Sequence, residues 1–328
     1  MTMMTRRSML GAAAAAGIAG TGFGAAAQGR AVTLKYGNAG NIQTISNRFN
    51  VRLWEEVAKR TNGAVKTEIF AGTLGGEQRL LEGMALGTID VYNGAYTGTR
   101  EFDIFYAPGF FRDGGHAKRV VQSQIGAQAS AVLEKRYQSR LLGIGRLGPW
   151  VLSTKKKISS LEEIKGMKLR APQIEGMVEA LKFLGANPTP IAFNEIYLAL
   201  QNGTVDGFVS ALNPSVAGKF YEVSKYVLSN PFGEGLDKEA ISTRAWRRLS
   251  DQQQRIVLQT FEELEATDYF QAGINAISTD LATWKKFNGD DSVVTVDQAA
   301  LVRQMEPLNR RLADEVYGAG AWDRIRAL

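Results

Sequence analysis

Ser160-Leu161-Glu162-Glu163-Ile164-Lys165-Gly166-Met167-Lys168-Leu169-Arg170-Ala171-Pro172 compresses a helix start and a strand into one short stretch. Ser160 and Glu163 have the spacing of a capping box, in which each side chain serves the other's backbone N–H. Met167 to Arg170 reads as a strand, and Ala171-Pro172 stiffens the backbone just beyond it. A helix from Glu175 to Leu184 follows, ended by Gly185, then a short strand at Thr189–Ile191. Asn194 caps a helix through Gln201 that ends at Gly203, and Val205 to Ser210 is the next strand. Such alternation implies a mainly parallel sheet with helices on its faces.

The same alternation runs upstream. Leu34–Gly37 reads as a first strand, and Ser46 caps a helix that carries Phe49, Leu53 and Val57 on one face and stops at Asn62-Gly63. Val65, Thr67 and Ile69 alternate with Lys66 and Glu68 as a strand would. Glu77–Leu86 is helical, Gly87 closes it, and Thr88–Tyr92 is a third strand. After a loop at Phe102–Gly115 come one helix from about His116 to Tyr137 and strands near Leu141–Leu147 and Trp150–Ser153. There are thus two α/β blocks, with no sequence repeat between them. Downstream, Ser250 caps residues 251–287, where no Pro intervenes before Pro307. As one helix at ~1.5 Å per residue this segment would span roughly 55 Å. That is wider than one domain of this size, so its natural use is a strut across both blocks. The alternative is two helices broken near Gly273, although Gly costs a helix only ~1 kcal/mol.

The chain has 328 residues, no Cys, and a net charge of +6. Residues 1–27 contain Arg6 and Arg7, no acidic residue, a weakly apolar Ala/Gly run from Met9 to Gly24, and Ala25-Ala26-Ala27 at the end. This is the layout of a secretory signal. Thr5-Arg6-Arg7-Ser8-Met9-Leu10 looks like the twin-arginine type, with a general secretion signal as the alternative. Its removal takes two of the 39 basic residues and none of the 33 acidic ones, leaving about +4. So mild a charge gives no large basic field for nucleic acid. Without Cys, disulfides, thiol catalysis and Cys-based metal sites are excluded. The apolar run is short and poor in large side chains for a bilayer span.

From Leu161 to Leu228 the chain resembles the DctP-type extracytoplasmic solute receptors of TRAP (tripartite ATP-independent periplasmic) transporters. The resemblance is carried by Leu161 to Pro172, by Leu184-Gly185-Ala186-Asn187-Pro188-Thr189-Pro190, by Glu195 to Gly207 (EIYLALQNGTVDG) and by Lys219-Phe220-Tyr221-Glu222-Val223. Weaker matches include Phe111 to His116 and Gly87-Thr88-Ile89-Asp90. The resemblance implies a two-domain periplasmic binding protein fold, each domain a mainly parallel sheet flanked by helices, with a long helix spanning both. It implies one lobe at 31–148 plus 235–275 and another at 149–234 plus 276–328, with the ligand in the cleft between them. It also implies a monomer whose partners are a small organic acid and the membrane permease subunits; no cofactor or metal site is specified by the residues, although some 2-oxo-acid receptors of the family recruit a cation beside the substrate.

Within that frame Arg170 is the expected ligand anchor, because the family's Arg at this place forms paired hydrogen bonds to the substrate carboxylate. A guanidinium is planar, always charged and matched to a carboxylate. Other positions depart from the sialic-acid receptors. Trp150 stands where a second Arg occurs, Ser210 where an Asn occurs, Ala95 where a Glu occurs, and Phe232 where a His is frequent; Phe193 matches. Asp206-Gly207-Phe208-Val209-Ser210-Ala211 replaces Asp-Gly-Gln-Glu-Asn-Pro. The expectation is therefore a smaller or flatter acid, an aromatic carboxylate or a 2-oxo or 2-hydroxy acid, against aromatic walls. Asn213 offers a substitute for the missing Asn. Asn38, Tyr92, Tyr96 and Gln173 lie near strand ends, as ligand contacts or as ordinary loop packing.

No catalytic constellation appears. His116 is the only His, so neither a His-based triad nor a two-His metal site can be built. Gly72-Thr73-Leu74-Gly75-Gly76 lacks the Lys-Ser/Thr of a phosphate loop. An exported enzyme is thus disfavoured, while a sensory protein that presents its ligand to a receptor kinase remains open beside a transport receptor.

Overall fold

The computed structural model describes residues 31–328. The candidate signal, residues 1–27, lies outside them. The strands are β1 Val32–Asn38, β2 Val65–Ala71, β3 Val91–Gly94, β4 Ser139–Thr154, β5 Lys168–Ala171, β6 Asn187–Pro190, β7 Gly207–Ala211, β8 Tyr226–Leu228, β9 Gly233–Ser242 and β10 Val293–Val294. They form one mixed sheet in the order β2-β1-β3-β9-β4-β7-β5-β6, with β8 on β4 and β10 on β8. Each end is parallel, β2-β1-β3 on one side and β7-β5-β6 on the other. The centre is antiparallel, where β9 pairs with β3 and β4. The two α/β blocks are therefore joined by a shared ladder.

That ladder corrects the expectation of two strands at 141–147 and 150–153. They are one strand, β4, whose register against β9 shifts between Leu141 and Gly143 and between Arg146 and Gly148. Gly148-Pro149 looks like a break in sequence. In the fold Gly148, at φ +99°, marks an irregularity that the strand absorbs. Gly148 is the register partner of Gly235.

The segment at 251–287 is a continuous helical run, but not a uniform one. Asp251–Leu264 is α-helical, Glu265–Phe270 is a π turn, and Gln271–Asn288 is α-helical again. The irregularity is a widened turn, and it precedes Gly273 instead of breaking the helix there. Gly273 is buried, and its carbonyl would lie 3.3 Å from a Cβ on Gly148. Phe261 and Tyr269 enter the larger core, while Trp284 enters the smaller one with Phe208, Phe220 and Tyr221. The strut thus contributes to both.

Two further expectations need correction. The helix expected over 116–137 is two, Gly114–Gln122 and Gln124–Tyr137, because Ser123 ends one and caps the other. Its Oγ donates to the Val120 carbonyl at 2.6 Å and accepts from the Ile125 N–H at 3.2 Å. The first long helix, Ile45–Arg60, is capped by Thr44 instead of Ser46, with Thr44 Oγ1 accepting from the Asn47 N–H at 3.3 Å. The capping box at Ser160 and Glu163 is present and opens a 3-10 turn, Leu161–Ile164.

Candidate functional site

The cleft lies where the parallel strands of both ends stop, beside the central ladder. It encloses about 600 Å³ of empty space, open solvent at its mouth included. Asn38 and Thr44 reach it from the end of β1 and the loop beyond, Tyr92 and Asn93 from β3, Trp150 from β4, Arg170 from β5, Ser210 from β7 and Asp237 from β9. In α/β sheets, ligands gather at such carboxyl ends of strands.

Arg170 is 2% exposed. Its Nε donates to the Ile191 carbonyl at 2.8 Å and its Nη1 to the Val209 carbonyl at 2.7 Å. Two carbonyls from flanking segments thus clasp one side of the guanidinium. Both N–H groups of Nη2 and the second N–H of Nη1 stay uncommitted among the described residues. Burial pulls the Arg170 pKa down to about 10 against the field of Glu77, which favours the charge. The group is still a cation at neutral pH, now in a site where water screens it poorly.

Of the other expected residues, Asn38, Tyr92, Trp150, Gln173, Phe193 and Ser210 line the cleft. Their side chains are not equally available. Asn38 donates to the Asn93 carbonyl at 2.7 Å and accepts from the Gly40 N–H at 2.7 Å, so its amide shapes the loop. Tyr92 gives its hydroxyl to the Ala95 carbonyl at 2.7 Å. Trp150 packs on Tyr106 with ring centroids 5.2 Å apart. Gln173 is exposed at the mouth.

Tyr96, Phe232 and Asn213 lie outside the cleft wall. Tyr96 is buried between Tyr92 and Tyr137, with centroid distances of 5.3 and 5.7 Å. Phe232 is a core side chain. Asn213 accepts from the Ile45 N–H at 2.9 Å and donates to Asp280 Oδ2 at 3.1 Å, which spends its amide on tying elements together. Phe208 also belongs to the core, edge-on to Phe220 at 5.3 Å. The wall is accordingly less aromatic than the sequence implied, with Trp150 and Phe193 as its large aromatic faces beside Tyr92.

Thr44, Ser46, Glu77, Asn93, Thr97 and Asp237 also line the cleft and were not expected there. Asp237 is 5% exposed, and its Oδ2 accepts from the Tyr269 hydroxyl at 2.9 Å. Burial raises its pKa to about 6, opposed by the Tyr269 bond and by Lys238. Behind it, Glu239 accepts from Asn50 and Asn93, both at 2.9 Å, and burial raises its pKa to about 8. Lys238 points elsewhere, onto the Phe102 ring at 3.7 Å and to the Tyr106 hydroxyl, and burial depresses its pKa strongly. The signal for this cluster was three consecutive charges, Asp237-Lys238-Glu239, set between Leu236 and Ala240-Ile241. Such groups are rarely buried without a specific use.

The lips of the cleft touch. Besides the Ile45–Asn213 bond, Asn41 Nδ2 donates to the Ala217 carbonyl at 2.8 Å. A Cβ on Gly76 would come within 2.9 Å of Ala192 Cβ.

Residues 38–315 match the family profile described as bacterial extracellular solute-binding protein, family 7. A solute-binding protein of Roseobacter denitrificans is 31% identical over 241 residues, 71% of this chain and 73% of the relative. The sialic acid-binding periplasmic protein SiaP of Vibrio cholerae is 25% identical over 281 residues, 80% of this chain and 88% of the relative. A crystal structure of a TRAP periplasmic solute-binding protein from Roseobacter denitrificans with bound L-galactonate superposes with a TM-score of 0.79. It is 25% identical and covers 91% of this chain and 99% of its own. Sequence profile and fold agree, and the chain belongs to family 7 of the bacterial extracellular solute-binding proteins, the DctP family.

Proposed function

We propose that this protein is the extracytoplasmic receptor of a TRAP transporter, which captures a small organic acid in the cleft and delivers it to the membrane permease. The observation that carries the acid is the buried guanidinium of Arg170, clasped by two carbonyls yet with donors to spare. A carboxylate entering the cleft would meet charge-assisted donors already fixed in place, so little conformational entropy is lost on binding. Similarity to receptors for L-galactonate and sialic acid, both carboxylic acids, supports the same class of ligand.

The protein performs no chemistry on its ligand. Its lobes, at 31–148 with 235–275 and at 149–234 with 276–328, open and shut about the β4–β9 ladder, with paired Gly148 and Gly235 as the pliable point. The shut form is what a permease would recognise, and the permease would couple release to an ion gradient. The receptor works as a monomer in the periplasm, exported through the twin-arginine route by Arg6-Arg7.

A thermal-shift panel tests this reading. At a hundredfold excess over Kd a ligand adds ~2.7 kcal/mol, a rise of roughly 2–4 °C or more for domains of this size. At least one carboxylate is expected to produce that rise. If only neutral sugars or amines do so, the organic-acid reading fails.

A further inference from the structure

Among the described residues, Arg170 is the one cation on the cleft wall, while Glu77 and Asp237 place two carboxylates there. No ion pair joins either of them to Arg170 among the described residues. Glu77 nonetheless favours the charged form of Arg170 and disfavours that of Asp237. Asp237 Oδ2 is held by Tyr269, and its Oδ1 has no partner among the described residues. Glu77, the first residue of helix Glu77–Leu86, is half-buried and bonded to none of them. The cleft therefore has a donor pole at Arg170 and an acceptor pole at Glu77 and Asp237. Hydroxyls of Thr44, Ser46 and Ser210 also line it.

We propose that the ligand is a polyhydroxylated monocarboxylate, its carboxylate on Arg170 and its hydroxyls donating to Asp237 and Glu77. This rests on the organic-acid receptor reading and narrows it. A second carboxylate on the ligand would face two like charges at low dielectric. A plain aliphatic or aromatic acid would leave desolvated acceptors unpaired, which is how hydrogen-bonding sites reject analogues that lack a hydroxyl. An ammonium would pair with the acids, but the wall does not demand one. Glu77 sits at a helix N-terminus, where the helix dipole already favours its negative charge, and the remaining polar groups on the wall are hydroxyls and amides, suited to hydroxyl partners.

The test is calorimetric titration of the purified mature protein with carbon-matched acids at four and six carbons. The four-carbon set is erythronate, butanoate, succinate and 2-aminobutanoate; the six-carbon set is gluconate, hexanoate, adipate and 2-aminohexanoate. At one or both lengths the hydroxy acid is expected to bind about 100-fold or more tightly than its plain counterpart. Glu77→Gln and Asp237→Asn should each weaken hydroxy-acid binding roughly tenfold or more, with little change for the plain acid, since a hydrogen bond to a charged group is lost. Asp237 is buried, so if Asp237→Asn does not fold, the half-buried Glu77→Gln carries the test. The inference is overturned if a diacid or amino acid binds tightest, or if the hydroxy-acid advantage survives in every folded variant. Equal binding of plain and hydroxy acids, abolished by Arg170→Ala, sinks this inference and leaves the receptor reading intact. Failure of every acid to bind sinks both.

Discussion

The Asn213 amide reaches Asp280 Oδ2 at 3.1 Å from the helix that follows β7, and its own Oδ1 takes the Ile45 N–H. One side chain thus bolts the first turn of helix Ile45–Arg60, across the cleft lip, to the helix Gln271–Asn288 of the strut. The pair is nearly buried, and burial raises the Asp280 pKa while Asn213 lowers it. On the proposed lobe motion, the Ile45–Asn213 bond across the lip would be lost when the cleft opens. Asn213→Ala is expected to favour the open form, weakening ligand binding about 3- to 10-fold, the worth of a net hydrogen bond or two. Stopped-flow fluorescence should place the change in the release rate. An unaltered release rate would mean that the bond does not contribute to closure.

Arg170 has little freedom of its own, because two of its donors already belong to Ile191 and Val209. Arg170→Ala should cost ~2–5 kcal/mol of carboxylate binding, since the ligand's charge is left unpaired in a closed cleft. Arg170→Lys should bind poorly as well. An ammonium keeps the charge but cannot span both carbonyls and still present paired donors. Calorimetry at low salt measures both, and wild-type affinity in either variant would move the anchor elsewhere.

Much of this architecture was legible in the sequence. Hydrophobic alternation located β2, the capping box located the turn before β5, and the motif around Arg170 singled out a side chain that lines the cleft. The central ladder was harder to see. Gly148-Pro149 carries the chemistry of a turn, and only pairing with Gly235 shows that the strand continues through it. The π turn at Glu265–Phe270 left no trace, because a one-residue change in hydrogen-bond offset does not disturb an apolar stripe enough to read. Phe208 and Phe232 were equally apolar as core or as cleft wall, so sequence could not place them. Glu77 and Asp237 are 160 residues apart, and nothing local marks them as neighbours.

Gly145 shows how closely the strut lies on β4. A Cβ there would fall 2.1 Å from Cε1 of Tyr269, a fully buried ring whose hydroxyl holds Asp237. Gly145→Ala must therefore displace the ring or part the helix from the strand. Overpacking of this kind costs ~1–3 kcal/mol, so the denaturation midpoint should fall, and affinity should fall with it as Asp237 loses its partner. Stability loss with unchanged affinity would show that the Tyr269–Asp237 bond does not matter to the cleft.

His116 turns from a helix start into a clasp for the C-terminus. Its Nδ1 accepts from the Arg112 N–H at 3.0 Å, and Nε2 faces the Ile325 carbonyl at 2.8 Å, which fixes a neutral ring with the proton on Nε2. Burial lowers its pKa, helped by Arg112, Arg326 and Arg119 and opposed by the Ile325 bond. The unfolded chain therefore binds a proton more readily as pH drops below about 6.5, and stability is lost on acidification. Relative to His116→Gln, the wild type's melting temperature should fall from pH 7 to pH 5, a difference that cancels Asp237 and Glu239, whose raised pKa values act in the opposite sense. Parallel curves would exclude the residue as the source.

Glu239 has the opposite sign. Its carboxyl, fully buried, is raised from an ordinary 4.5 to about 8, first by desolvation, with Asn50 and Asn93 pulling the other way. The folded chain therefore holds a proton that the unfolded chain releases. Its contribution is most favourable in acid and declines as pH climbs from about 4.5 through 8. Glu239→Gln keeps an oxygen for the two asparagine amides and removes the titration. Subtracting the variant's melting curve from the wild type's cancels Asp237, Lys238 and His116, provided they titrate alike in both. The difference should grow against the wild type between pH 6 and about 8.5 and level off beyond. A difference independent of pH across that window would mean that the carboxyl keeps one charge state throughout, and that Asn50 and Asn93 outweigh its burial.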